Sequence, residues 1–212
     1  MIYRVPLIGT LFYQNVICKI MANYTAYAIG NGNSRTNIDI SLLESHGSIY
    51  GCNALYRDMT PDVLVATDQG IAKEIENTGY PKNNKFYTRR PDTKKGSLDL
   101  PAQWRGWSSG PASVALALDQ GHHKVYLIGH DFGSSDKVFN NVYAGTNNYR
   151  AVGGPPTYAG NWVNQIKTLL GTYKNAKIIR VIGETSATVP KLNKIENYSE
   201  VNIDTFLASI NT

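Results

Sequence analysis

Tyr24-Thr-Ala-Tyr-Ala-Ile-Gly-Asn-Gly-Asn-Ser34 is an apolar strand that runs directly into a turn with glycine at positions 30 and 32. A hundred residues on, Val125-Tyr-Leu-Ile-Gly-His-Asp-Phe132 has the same form, and it is preceded by Trp107-Ser-Ser-Gly110 and a helical stretch. In an open α/β sheet, ligands bind beyond the carboxyl ends of the strands. Glycine there lets backbone N–H groups approach a phosphate, which a following helix N-terminus also favours. The two turns are the expected place for a nucleotide.

Outward from these turns, short apolar runs alternate with helical patterns, which predicts a Rossmann-like, mostly parallel sheet with crossover helices on both faces in a single domain. Strands are expected at 24–29, 48–52, 62–67, 85–88, 124–129 and 177–182. Helices are expected at 38–44, 69–78, 111–120, 160–173 and 204–210. Pro111, behind the small polar Ser109, signals a helix start, and Gly121 signals its end. The chain carries no internal repeat and no linker, so residues 21–212 form one nucleotide-binding domain.

The composition agrees with a folded globular chain: 212 residues, 42% hydrophobic and 17% charged, with 19 Gly and 14 Tyr. The formal charge of +5 suits an anionic ligand. It is too mild to call for nucleic acid, and no helix-turn-helix, zinc-ligand or RNP pattern occurs. Two cysteines, Cys18 and Cys52, lack metal-ligand spacing and fit a reducing, cytoplasmic setting. Residues 1–20 are apolar-rich, but Arg4, Gln14, Asn15 and Lys19 interrupt them, so they read as neither a membrane span nor a signal peptide. An N-terminal arm, an extra edge strand and translation from an upstream start are the open readings.

Two segments resist assignment: Thr88 to Gly106, carrying Arg89, Arg90, Lys94, Lys95 and Arg105, and Gly133 to Gly160, rich in Gly, Asn and Tyr. Long irregular stretches in compact domains are lids, binding loops or disorder. Lys94 and Lys95 read as solvated charge, whereas Arg105, close before Ser108, is a candidate phosphate contact.

The succession Gly30-Asn-Gly-Asn-Ser34, Tyr50-Gly-Cys-Asn-Ala-Leu-Tyr56, Ser109-Gly110 and Tyr126-Leu-Ile-Gly-His-Asp-Phe132 resembles the bacterial sialyltransferases of glycosyltransferase family 42. It is also similar to the related superfamily that contains the archaeal 6-hydroxymethylpterin diphosphokinases, and to small bacteriophage proteins. The family 42 resemblance implies a nucleotide-sugar glycosyltransferase needing no cofactor. It assigns donor-nucleotide contacts to the Gly30-Asn31-Gly32 turn, Asn53, Ser109 and Gly110; Asn33 and Ser34, which continue the first turn, and Asp131, whose place at a strand end suits a ribose hydroxyl or a divalent ion, are further nucleotide-binding candidates. Amides supply donors and acceptors for ribose or base, and Ser and Gly backbone N–H groups cradle phosphate.

Each residue also has a structural reading. An Asn between glycines suits left-handed turns, Asp131 can close the turn after its strand, and Asp68 can cap helix 69–78. The chain departs from family 42 in one respect: the segment before the long helix, where that family carries its general-base histidine, has none. His130 is the one histidine at the expected sheet edge and stands as the candidate base. The diphosphokinase resemblance implies instead a Mg²⁺ held by Asp68 and Asp131. A third class is a non-catalytic interaction protein, partnering another phage protein or a second copy of itself.

Overall fold

The computed structural model describes residues 24–134 and 137–210. The proposed arm at 1–20 and Cys18 lie outside that range. Eight strands form one sheet: β1 Thr25–Ile29, β2 Ser48–Cys52, β3 Val63–Val65, β4 Phe86–Thr88, β5 Leu98–Asp99, β6 Lys124–Ile128, β7 Lys177–Ile182 and β8 Tyr198–Asn202. Their order is β5-β4-β3-β2-β1-β6-β7-β8, and every neighbouring pair is parallel. The chain winds one way from β1 to β5 and then returns to lay β6 on the other side of β1. That reversal is the topological switch point of a doubly wound sheet.

Parallel sheets survive only with both faces covered, which is why Ala26, Tyr27, Ala28 and Ile29 are all buried rather than alternating with polar residues. Four α-helices are described: α1 Gln69–Asn77, α2 Ser109–Asp119, α3 Gly160–Thr172 and α4 Ile203–Ile210. Ile71 and Ile75 of α1 and Phe206 and Ile210 of α4 pack on one face with Tyr27, Ile29 and Leu64. Val114 and Leu116 of α2 and Ile166, Leu169 and Leu170 of α3 pack on the other with Ala26, Ala28 and Leu127. Residues 111–118 of α2 are all buried, so this crossover helix is apolar around its whole circumference. At about 1.5–3 kcal/mol for a fully buried Ile, Leu or Phe, these two layers are the main source of stability.

The expected elements are present with shifted ends. The helix expected at 38–44 is a 3₁₀ turn over Ile40–Leu43, capped by Asp39, which accepts from Ser41 N–H. Helix α2 starts at Ser109 rather than Pro111; Pro111 occupies its first turn, where a missing N–H costs nothing. Strands β5 and β8 were not anticipated. β5 has only two residues, and Tyr198-Ser-Glu-Val-Asn202 is a polar edge strand without the apolar run of the others.

Strand β8 is recruited by a buried charge. Arg180, in the middle of β7, is fully buried and sits in register with Glu200 of β8. Its Nη1 donates to Glu200 Oε1 at 2.9 Å, its Nε to the His130 carbonyl at 2.8 Å, and its Nη2 to the carbonyls of Asp131 at 2.8 Å and Ala187 at 2.9 Å. The guanidinium also lies 4.9 Å from the Phe132 ring centre. Removing one partner of a buried pair costs about 3–5 kcal/mol. Arg180→Ala should therefore lower unfolding free energy by about that amount in urea titration, and Glu200→Gln, which keeps an acceptor, by clearly less. Equal losses would show that the carboxylate charge, not the guanidinium's set of acceptors, carries the stabilisation.

Candidate functional site

Because β1 and β6 are parallel neighbours with Ile29 opposite Ile128, the turns that follow them emerge side by side at one sheet edge. A Cβ on Gly30 would lie 2.5 Å from the Gly129 carbonyl oxygen, and one on Gly32 would collide with the Asp131 carboxylate. Gly32 itself has φ −67°. Asn31 is absent from the left-handed region too. The glycines at 30 and 32 are thus required by close approach of two strand ends, and the turn-propensity reading of Asn31 does not hold.

Between these turns and α2 lies a cleft of about 340 Å³. Gly30, Asn31, Gly32, Asn53, Asp68, Ser109, Gly110, His130 and Asp131 all line it, so most of the residues nominated from sequence converge there. Asn33 and Ser34 do not. Asn33 N–H donates to Asn140 Oδ1 at 2.7 Å, and Ser34 N–H donates to Asp131 Oδ2 at 3.0 Å, with its Cβ facing Gly183. Arg105 is also elsewhere: its guanidinium pairs with Asp99 and donates to the Leu100 carbonyl. The arginine at the cleft is Arg89, directly beyond β4, and the available signal was its place after an apolar strand. Its Nη2 makes one long bond of 3.4 Å to the Trp107 carbonyl, and its Nε is buried without a partner.

Asp131 is a structural hub. Oδ2 accepts from Ser34 N–H, Asn140 Nδ2 and Thr185 Oγ1, and Oδ1 accepts from Ser186 Oγ at 2.8 Å. A carboxylate offers about four acceptor sites, two on each oxygen, so Oδ2 is saturated while Oδ1, with one donor among the described residues, keeps a free lone pair. Asp68 occupies the N-cap position of α1, yet its side chain makes no capping bond.

Residues 137–160 are bound to the turns rather than free of them. Asn140 also donates to the Gly133 and Thr185 carbonyls, and Val142 N–H donates to the Asn31 carbonyl. The Tyr149 hydroxyl accepts from Asn31 Nδ2 and from Ala54 N–H, both at 3.2 Å. Tyr143 donates to Asp58, and Arg35 reaches both. This loop therefore forms one wall of the cleft, carrying Tyr158, which is 78% exposed, and ending at Trp162 in α3.

The floor holds three groups suited to a ligand. Asn53 has φ +51°, costly for a non-glycine residue, and its Oδ1 is buried without a partner. Helix α2 opens on the cleft with Ser108 making no side-chain cap, and the first helical bond is Ala112 N–H to the Ser108 carbonyl. The N–H groups of Ser109 and Gly110 precede that bond and are the unfilled donors of the terminus. The Ser109 hydroxyl is engaged with Thr67, at 2.9 Å from its N–H and 3.0 Å from its Oγ1. His130, 6% exposed, lies against Gly110, and its Nε2 has no partner among the described residues. Burial, then the Arg180 charge, push this imidazole down to about 4, partly offset by Asp131. Cys52, in the same cleft, is held as a thiol, since burial raises it to about 12.

No protein-family model matches the chain, and no curated protein or solved structure matches it. Fold and cleft define a doubly wound α/β protein with an open cleft at the switch point of its sheet. No helix among the described residues is long and apolar enough to cross a membrane.

The His130 shift has a thermodynamic consequence. Its folded-state value lies near 4 against an ordinary 6.5, so between those pH values the unfolded chain binds a proton that the folded chain does not. Stability contributed by the neutral ring is complete above pH 6.5 and lost as the pH falls towards 4, on the order of 3 kcal/mol in all. Urea titrations from pH 7 to 4.5 should show wild-type stability falling more steeply than that of His130→Asn. Parallel slopes would mean that the ring titrates normally. Glycine substitutions test the strand-end packing: Gly32→Ala should destabilise by more than about 1 kcal/mol. Gly171→Ala, in α3 with nothing within 4 Å of the added Cβ, should stabilise by roughly 0.5–1 kcal/mol in the same assay.

Proposed function

We propose that the protein is a glycosyltransferase that binds a nucleotide-sugar in the switch-point cleft, as its resemblance to family 42 implies. The observation that carries this reading is the set of unsatisfied polar groups at the cleft floor: Asn53 Oδ1, His130 Nε2 and Arg89 Nε, beside the bare N-terminus of α2. Buried polar atoms in native proteins are almost always paired; other buried atoms without a partner among the described residues lie elsewhere, whereas these three meet in one cleft, which supports a polar ligand there. A nucleotide phosphate suits the Ser109 and Gly110 N–H groups and the Arg89 guanidinium, and a nucleoside hydroxyl or amine suits Asn53 Oδ1.

In the transfer, the acceptor hydroxyl oxygen attacks the anomeric carbon as the bond from that carbon to the phosphate oxygen breaks. The nucleotide departs with the bonding electron pair. Its phosphate charge grows against Arg89 and the α2 terminus, which are in place beforehand. The acceptor proton passes to His130 Nε2 in the tautomer that leaves that nitrogen unprotonated. A value near 4 describes the empty cleft; an adjacent phosphate favours the imidazolium and raises it.

Metal-dependent diphosphoryl transfer at Asp68 and Asp131 has less support, because four protein donors already bind the Asp131 carboxylate, three on Oδ2 and one on Oδ1. Asp68, exposed and without a capping bond, is the freer carboxylate for a Mg²⁺.

Calorimetry with CMP, UMP, GMP, AMP and a CMP-sugar should find a ligand whose affinity falls by about 1–3 kcal/mol in Asn53→Ala and is unchanged in Lys94→Ala. At about 100 times its dissociation constant, that ligand should add roughly 2.7 kcal/mol of stability. If no nucleotide raises the melting temperature, with or without Mg²⁺, the interaction-protein reading replaces this one.

A further inference from the structure

A second cavity, of about 280 Å³, opens beside the first over the carboxyl ends of β3 and β4, and the two share Asp68 and Arg89. Its walls carry Lys73 from α1 and Arg89 and Arg90 from the segment after β4. Among the described residues none of these three cations forms an ion pair, whereas Arg35, Arg57, Lys95, Arg105 and Arg180 all do. Arg89 Nε is buried and unpartnered at the shared wall. Two carboxylates oppose the cations. Glu76 Oε1 accepts from Asp92 N–H and Ser97 Oγ at 2.9 Å each, and Asp68 is exposed.

From this arrangement we infer that the cavity is an anion site for a phosphomonoester on the acceptor substrate, seated beside the nucleotide cleft. The inference deepens the glycosyl-transfer reading and rests on it for the word acceptor. Unpaired cations collected in a concavity raise the local potential for anions, and fork-shaped guanidinium groups match phosphate oxygens. The charge balance decides which anion. Three cations against two carboxylates leave a net +1, suited to one phosphate group carrying about −1.5 to −2. A nucleic acid strand would bring several phosphates into a region with two acids and too few cations to neutralise them. The shared Arg89 puts a phosphate here next to the nucleotide site, so a phosphorylated acceptor would be anchored with its hydroxyls towards the cleft.

The test uses Lys73→Ala/Arg90→Ala, a pair of exposed residues outside the nucleotide cleft, and the charge-retaining Lys73→Arg/Arg90→Lys. Glycerol 3-phosphate, inorganic phosphate and uncharged glycerol are titrated calorimetrically into each protein at low salt, alone and with nucleotide present. The expected result is binding of glycerol 3-phosphate to wild type, roughly tenfold or greater weakening in the alanine pair, near-wild-type binding in the charge-retaining pair, and no binding of glycerol. Nucleotide affinity should be the same in all three proteins, so failure of the nucleotide reading registers separately. Three outcomes overturn the inference: no binding of either phosphate probe, binding that the alanine pair leaves unchanged, and binding that nucleotide abolishes. A single-stranded oligonucleotide that binds with a salt slope of several phosphates, and loses it in the alanine pair, would instead make this face a nucleic-acid surface.

Discussion

The guanidinium of Arg180 organises the carboxyl edge of the sheet. A fully buried cation must find acceptors or be expelled, and this one finds them on three separate stretches of chain: the His130 and Asp131 carbonyls, the Ala187 carbonyl and Glu200. Its bonds hold the turn after β6 in a conformation that turn would not take alone, with Phe132 at φ +53° and its ring beside the cation. The same bonds bring Asp131 to the position where it receives Ser34, Asn140, Thr185 and Ser186. The buried charge therefore shapes the cleft floor and adds to burial, the larger cause, in depressing the basicity of His130.

Asp131 passes that constraint to the first turn. Gly32 is small because the carboxylate lies where its Cβ would be, and Gly30 is small because the Gly129 carbonyl lies against it. Strand ends this close pack backbone on backbone, while the hydrogen bonds of Asn140 and Tyr149 hold the long loop over them. The loop is irregular in backbone yet anchored at several points by side chains, so the aromatic residues at its end, Tyr158 and Trp162, are carried to the cleft wall. Asn53 and Phe132, both beyond strand ends, carry left-handed backbone that costs energy in a non-glycine residue, and the Arg180 bonds hold the second of them in place.

Charge pairing sorts the arginines and lysines into two groups. Those that tie the fold together have carboxylate partners: Arg35 with Asp58, Arg57 with Glu74, Arg180 with Glu200. Arg89, Arg90 and Lys73 have none among the described residues, and they gather on the side of the sheet where β3 and β4 end. Three unpaired cations thus meet beside the cleft, where they can act on an anion.

The sequence by itself determined the succession of strands and helices around the switch point, because a strand buried on both faces must be a continuous apolar run and Ala26–Ile29, Val63–Val65 and Val125–Ile128 are such runs. It also determined that the glycine turns lie at one edge, since parallel crossovers place every strand's carboxyl end on the same side. Polar edge strand β8 was invisible to that reasoning: its place follows from Glu200 meeting Arg180 in register, a contact between residues whose local patterns reveal nothing of each other. The presence of Arg89 rather than Arg105 in the cleft lining, the four donors on Asp131 and the places of Asn33 and Ser34 outside the cleft were likewise decided only in the tertiary structure. A side chain's partner depends on which distant segments arrive beside it, and residue type and spacing along the chain carry no record of that arrival.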